Sequence, residues 1–226
     1  MNETNRALLL VGSPRGSKST SKALGTYLLD KLRSGGFETA DLHIQTSMRS
    51  EESQARLLEL VGAGDLLVLA FPLYIDSLPA TVIEALELLA KQRKSIAPSK
   101  TQRLAVIVNN GFPEATQNST ALAICKRFAV ETGIEWAGGL GLGGGGPIEG
   151  KPLEDAGFVA RNVRKSLDMA ARDLLEGKAV SEEATKLMAK PLIPKWLYLI
   201  AANYGWKKQA KACGTQDKLY DQKSST

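Results

Sequence analysis

Leu8-Leu9-Leu10-Val11-Gly12-Ser13-Pro14-Arg15-Gly16-Ser17-Lys18-Ser19-Thr20 is the stretch that decides the fold. Its four successive apolar residues read as a central parallel strand buried on both faces. They run into a turn rich in glycine and hydroxyls, and Ser19, Thr20 or Ser21 can cap the helix that follows. A strand, a tight loop and a helix N-terminus make an anion site. Backbone N–H groups and the positive end of the helix dipole face one spot, and Arg15 and Lys18 add charge. The anion it suits is a phosphate group.

Two common phosphate loops do not match. Walker A needs glycine directly before the lysine, but Ser17 precedes Lys18 and Gly16 comes one place early. The two strongest later strands end in Ala70-Phe71-Pro72 and Val108-Asn109-Asn110, with no carboxylate to hold magnesium. A dinucleotide fingerprint occurs only at Gly141-x-Gly143-x-x-Gly146. There Pro147 and Gly150 follow instead of an amphipathic helix, so this reads as a glycine-rich loop making room for something flat.

Around the opening stretch, apolar runs and helical stripes alternate. A helix to about Arg33 carries Leu24, Tyr27, Leu28 and Leu32 and ends at Ser34-Gly35-Gly36. Phe37–Ile44 is a polar strand suited to a sheet edge, Gln45–Ser53 a loop, and a short helix with Leu57, Leu58 and Val61 follows. Asp65–Phe71 and Leu104–Val108 are further buried strands. Between them lie a helix opened by Pro79 and a basic connector, Lys91–Arg103. A helix over 117–132, a strand over Ile134–Leu142 and a long helix over Leu153–Glu176 complete the pattern. Five strands alternating with five helices predict an α/β, flavodoxin-like, doubly wound five-stranded parallel sheet of order 2-1-3-4-5 with a C-terminal helical extension. The expected domains are 1–178 for the sheet domain, 179–213 for the extension, and a disordered tail over 214–226.

Charge and cysteine content narrow the functional classes. A net charge of +5 over 226 residues is spread along the chain, arguing weakly for anionic ligands and hardly for nucleic acid. Cys125 and Cys213 make neither a disulfide framework nor a metal site. No signal peptide is read at residues 1–7, and a cytoplasmic location is expected.

In a doubly wound sheet the ligand sits at the carboxyl ends of the strands. The loops there are Ser13–Thr20, Pro72–Pro79, Asn110–Glu114 and Gly143–Gly150. One suits a phosphate. The others offer aromatic or apolar side chains, amides and exposed backbone, without a His, Cys or carboxylate pair. His43, the single histidine, is placed on the polar strand away from these loops. A site without an acid–base or nucleophile set suits a cofactor that carries its own chemistry, and flavin mononucleotide (FMN) combines a planar ring with a phosphate tail. Each loop also has a plainer structural reading: a capped strand–helix connection, a proline turn holding Tyr74, an Asn-Gly turn and a flexible connector. Cys125 reads as core.

Gly12-Ser13-Pro14-Arg15 followed by Ser19-Thr20, with Pro72-Leu73-Tyr74 and Pro79, resembles the NAD(P)H-dependent FMN reductase family over about residues 6–176. The resemblance implies that the first loop binds the FMN phosphate through Ser13, Arg15, Ser19 and Thr20, with Ser17 and Lys18 standing where many relatives carry small residues. It implies that Pro72, Leu73, Tyr74 and Ile75 lie along the ring, and that Asn110, Gly111 and Phe112 touch its other edge. NAD(P)H is then the co-substrate and a quinone, azo, nitro or flavin compound the acceptor, in a homodimer. One branch of the family holds an iron–sulfur cluster on closely spaced cysteines, which this chain lacks. The rival reading is a non-enzymatic flavodoxin-type electron carrier.

The tail lies outside the resemblance. Ser181 caps a short helix ended near Pro191 and Pro194. Lys195–Ala212 is apolar and aromatic, turning basic at Lys207, Lys208 and Lys211. Its apolar part is too short to cross a bilayer. Packing on the same domain or on a second subunit is the favoured use. The competitors are a lid over the flavin site and contact with an anionic membrane surface.

Overall fold

The computed structural model describes residues 5–95, 100–148 and 150–215, with the side chains of Ser17, Lys195, Ala201 and Ala202 outside that description. The tail over 216–226 and part of the 91–103 connector fall beyond the described residues. Five parallel strands, β1 (Arg6–Val11), β2 (Glu38–His43), β3 (Leu66–Pro72), β4 (Arg103–Asn109) and β5 (Glu135–Leu142), form one sheet in the order β2-β1-β3-β4-β5. This is the flavodoxin-like order expected. Leu9 pairs with Asp41 on one side and Val68 on the other, and Val68 in turn with Ala105.

The alternating directions of strand side chains explain why β1, β3 and β4 are apolar throughout. Leu9, Val11, Val68, Ala70, Ala105 and Ile107 face α1 (Thr20–Ser34), α6 (Arg161–Leu175) and α7 (Glu182–Met188). Leu8, Leu10, Leu67, Leu69, Phe71, Val106 and Val108 face the other way. There they meet α3 (Glu51–Ala63), α4 (Ala80–Ser95), α5 (Ser119–Glu131) and Ile44 of the one-turn α2 (Ile44–Ser47). β2 closes one edge and stays largely solvated. Cys125 is wholly buried in the second layer, and burial pushes its thiol up to about 12, so it acts as a small hydrophobe.

Two expected elements differ. The long helix after β5 begins at Arg161 rather than Leu153, because Gly157 adopts φ +59 and residues 153–160 form turns that still bury Leu153 and Ala160. A left-handed residue interrupts a right-handed helix whatever the apolar spacing. The loop expected at 45–53 holds most of α2 and the start of α3. There Ser50 and Ser53 form a reciprocal capping box, Ser53 standing where a glutamate is usual.

The chain divides into two compact units, Met1–Leu192 and Ile193–Thr226. In the first, α7 buries Ala184 and Met188 against α6 and β5, and Thr185 donates to the Gly139 carbonyl of β5 at 3.4 Å. The second contains α8 (Lys195–Ala212), with Pro194 at its N-cap. Among the described residues no helix is long and apolar enough to cross a membrane.

Candidate functional site

At the carboxyl end of β1 the backbone turns sharply, held by its own hydroxyls. Gly12 donates to the Ala70 carbonyl at 2.8 Å, and a Cβ on it would lie 2.4 Å from Val82 Cγ2. Ser13 is buried. Its Oγ accepts from the Arg15 N–H at 3.4 Å, and its carbonyl accepts from the Gly16 N–H at 3.2 Å. After a 3-10 turn over Gly16–Lys18, Ser19 caps α1, its Oγ accepting from the Lys22 N–H at 3.1 Å and donating to the Gly16 carbonyl at 2.9 Å. Thr20 donates to the Gly145 carbonyl at 3.2 Å, and Ser21 to Asn109 Oδ1 at 2.6 Å. The hydroxyls of Ser19 and Thr20 therefore tie the loop together, while Arg15 and Lys18 are exposed. Neither cation has a hydrogen-bond or ion-pair partner among the described residues. The first turn of α1 carries no acidic residue, so nothing there offsets the positive end of its dipole.

The loop after β3 projects apolar surface. Tyr74 and Ser77 exchange backbone hydrogen bonds of 2.9 and 3.0 Å across a two-residue tip, where Ile75 has φ +47 and Asp76 φ +57. That is the type I′ geometry glycine and asparagine ordinarily supply. A β-branched residue in it stores on the order of 1–3 kcal/mol of strain. Ile75 is nonetheless 99% exposed, and Tyr74 is 45% exposed, so burial does not explain the strained tip. After β4, the buried Asn110 accepts from the Phe112 N–H at 2.9 Å and donates to the Glu114 carbonyl at 3.2 Å. Its amide shapes the loop, and the exposed side chain is that of Phe112.

The glycines after β5 do something the sequence did not suggest. Gly143, Gly145 and Gly150 make room for the chain itself, while Gly146 has nothing within 4 Å of a Cβ. A Cβ on Gly143 would lie 2.5 Å from the Pro113 carbonyl oxygen. One on Gly145 would touch Thr20, and one on Gly150, at φ +69, would lie 2.4 Å from the Lys18 carbonyl carbon. Gly144 donates to the Phe112 carbonyl and Gly145 to that of Asn110, while Leu73 donates to that of Asn109. The loops after β1, β3, β4 and β5 are thus knitted into one rim. Asn109 and Gly150, which tie that rim, were missed. Asparagine at a strand end reads as turn chemistry, and Gly150 shows its purpose only through an approach 132 residues away in sequence.

All the expected site residues belong to this rim, although the Ser17 side chain lies outside the description. Their outward groups are Arg15, Lys18, Tyr74, Ile75 and Phe112; Ser13, Ser19 and Asn110 are buried supports. Pro72 and Leu73 are half-buried at the end of β3. His43 is not away from the loops. It pairs with Val11 at the same edge, half-buried, with Nδ1 lacking a partner. Strand register, invisible in local sequence, brings it there. Among the described residues no group of three His, Cys, Asp or Glu side chains is placed to hold a metal ion.

A doubly wound sheet of order 2-1-3-4-5, with a phosphate-type loop after its first strand, defines the flavodoxin-like class. Particular solved structures share that fold. The NAD(P)H:quinone oxidoreductase from Methanothermobacter marburgensis is 15% identical, covering 75% of this chain and 96% of its own, with a TM-score of 0.55. The FMN-dependent NADH-azoreductase from Bacillus anthracis, in complex with FMN, is 14% identical over 76% and 100%, with a TM-score of 0.54. The rubredoxin oxygen:oxidoreductase of Desulfovibrio gigas is 11% identical, with a TM-score of 0.55. It covers 77% of this chain, which spans about a third (36%) of that protein's length. At such identities the likeness establishes the fold, and at that level the resemblance read from the sequence holds. No family model and no curated protein sequence matches the chain.

Proposed function

We propose that this chain is an FMN-dependent NAD(P)H oxidoreductase acting on a small acceptor of the quinone, azo, nitro or flavin type. The observation that carries the reading is the division of the rim. Two unpartnered cations and a helix N-terminus stand on one loop, and exposed Tyr74, Ile75 and Phe112 on its neighbours. These residues fit a phosphate-tailed planar ring in charge and in chemistry.

Arg15 and Lys18 neutralise the phosphate, and the first-turn N–H groups of α1 donate to it. Ser13, Ser19 and Thr20 set the loop's path. Pro72, Leu73, Tyr74 and Ile75 form one wall of the ring site, and Gly111 and Phe112 the other, with Asn110 holding that wall in shape. The apolar walls keep water from the reacting face. FMN, when bound, supplies the chemistry, taking hydride from a nicotinamide and giving it to an acceptor. Binding, orientation and water exclusion are the protein's part.

The chain acts as a homodimer in this reading. Exposed Ile83 on α4 and Ile124 on α5 flank an apolar groove of about 480 Å³ suited to a second copy, a state that light scattering reads directly. Its two free thiols suit the cytoplasm.

The visible spectrum of freshly purified protein, followed by steady-state oxidation of NADH and NADPH, tests the proposal. A yellow protein that turns over either nucleotide supports it. A flavin-loaded protein with almost no turnover is an electron carrier instead, and a colourless one that ignores added FMN ends the flavin reading. Ser19→Ala with Thr20→Ala removes the α1 cap and the tie to Gly145. The expected cost is about 1–2 kcal/mol of loop order, read as a flavin affinity about tenfold weaker. Unchanged flavin affinity in this double variant would count against the loop assignment.

A further inference from the structure

One stretch toward the C-terminal end of the described residues carries basic side chains and no acidic ones. Six of the protein's 29 basic residues, and none of its 24 acidic ones, fall between Ala184 and Thr215. The other residues hold 23 basic side chains against 24 acidic, and among them the 91–103 connector is also basic, with Lys91, Arg93, Lys94, Lys100 and Arg103 and no carboxylate. Within it, α8 exposes six large apolar or aromatic side chains: Trp196, Leu197, Leu199, Ile200, Tyr204 and Trp206, each between 39% and 72% exposed. At helical spacing these six fall within about one half of the circumference, over roughly 15 Å of axis. Lys207, Lys208 and Lys211 follow in the last two turns, all exposed, and α8 contains no carboxylate.

An apolar surface of this kind calls for a cover, and the lysines beside it call for negative charge. A second copy supplies little net negative charge, because the rest of the chain is close to neutral. An anionic bilayer supplies both. Tryptophan and tyrosine settle at headgroup level, aliphatic side chains enter the acyl boundary, and lysines extend toward lipid phosphates. α8 is not long and apolar enough to span, so its contact with a bilayer would be along the surface.

We propose that α8 docks this protein on anionic lipid bilayers, with its aromatic half at the headgroup boundary and Lys207, Lys208 and Lys211 against lipid phosphates. The inference does not depend on the flavin reading.

Co-sedimentation of the full chain with vesicles tests it, comparing pure phosphatidylcholine with a mixture of about 30% phosphatidylserine at about 0.1 M salt. The expected result is binding to the anionic vesicles with a blue shift of tryptophan emission. The affinity falls at least about tenfold in the triple variant Lys207→Glu, Lys208→Glu, Lys211→Glu, or at about 0.5 M salt. Trp196→Ala with Trp206→Ala removes the shift and leaves Trp136, half-buried in β5, as a constant background. The salt series on the wild-type chain needs no variant to fold. Absence of vesicle binding overturns the proposal, as does equal, salt-insensitive binding to neutral vesicles. So does self-association abolished by the tryptophan variants, which would assign the face to a second copy.

Discussion

Replacing Arg15 and Lys18 together by glutamate is expected to weaken FMN binding by about 10²–10⁴-fold while leaving the fold intact. Each cation that meets a phosphate through a charge-assisted hydrogen bond is worth about 1.5–3 kcal/mol, so losing two costs about 3–6 kcal/mol, at 1.4 kcal/mol per factor of ten. The side chains are exposed and unpartnered, so the apoprotein's stability should move by no more than about 0.5 kcal/mol. Equilibrium titration of the apoprotein with FMN and a thermal melt read the two quantities separately. A double variant that binds FMN as tightly as the wild type would remove the phosphate from this loop. It would leave the exposed Tyr74 and Phe112 walls without a ligand to serve.

Gly150→Ala is expected to have the largest effect of any single methyl group at the rim. The residue sits at φ +69, where an L side chain costs roughly 1–2 kcal/mol. Its new Cβ would lie 2.4 Å from the Lys18 carbonyl carbon, 2.5 Å from that carbonyl oxygen and 2.8 Å from the Ser19 nitrogen. All three are backbone atoms, so no rotamer relieves the overlap and the two loops must part, adding about 1–3 kcal/mol. The sum of about 2–5 kcal/mol lowers the melting temperature by very roughly 5–15 °C. It also shifts the peptide that leads into the α1 cap, so flavin affinity falls with it. Gly16→Ala is the control. Gly16 has φ +58 but nothing within 4 Å of a Cβ, so only the conformational cost applies. Equal effects at the two positions would refute the close-approach argument.

Local chemistry made much of this protein readable in advance. Buried strands sandwiched between helices have to be apolar on both faces, and Leu8–Val11, Leu66–Phe71 and Leu104–Val108 show it without help from the rest of the chain. Ser181 was legible as a cap, and Ser19 as one of three candidates with Thr20 and Ser21, because an N-cap hydroxyl acts on a backbone N–H only two or three residues away. The α6 boundary was not. Val159 continues the apolar stripe of Val163 and Leu167, and only the left-handed Gly157 breaks the backbone there.

By itself, then, the amino-acid order determined where strands and helices lie and that a cationic, glycine-bearing turn follows the first strand. These are matters of neighbours within a few residues. Tertiary structure decided which hydroxyls are spent. Thr20 faces Gly145, Ser21 faces Asn109, and Gly150 presses on Lys18, all across more than 80 residues of chain. It also set His43 beside Val11 through strand register. A hydrogen bond or a steric limit between segments exists only once the sheet has brought their ends together, so no local pattern encodes it.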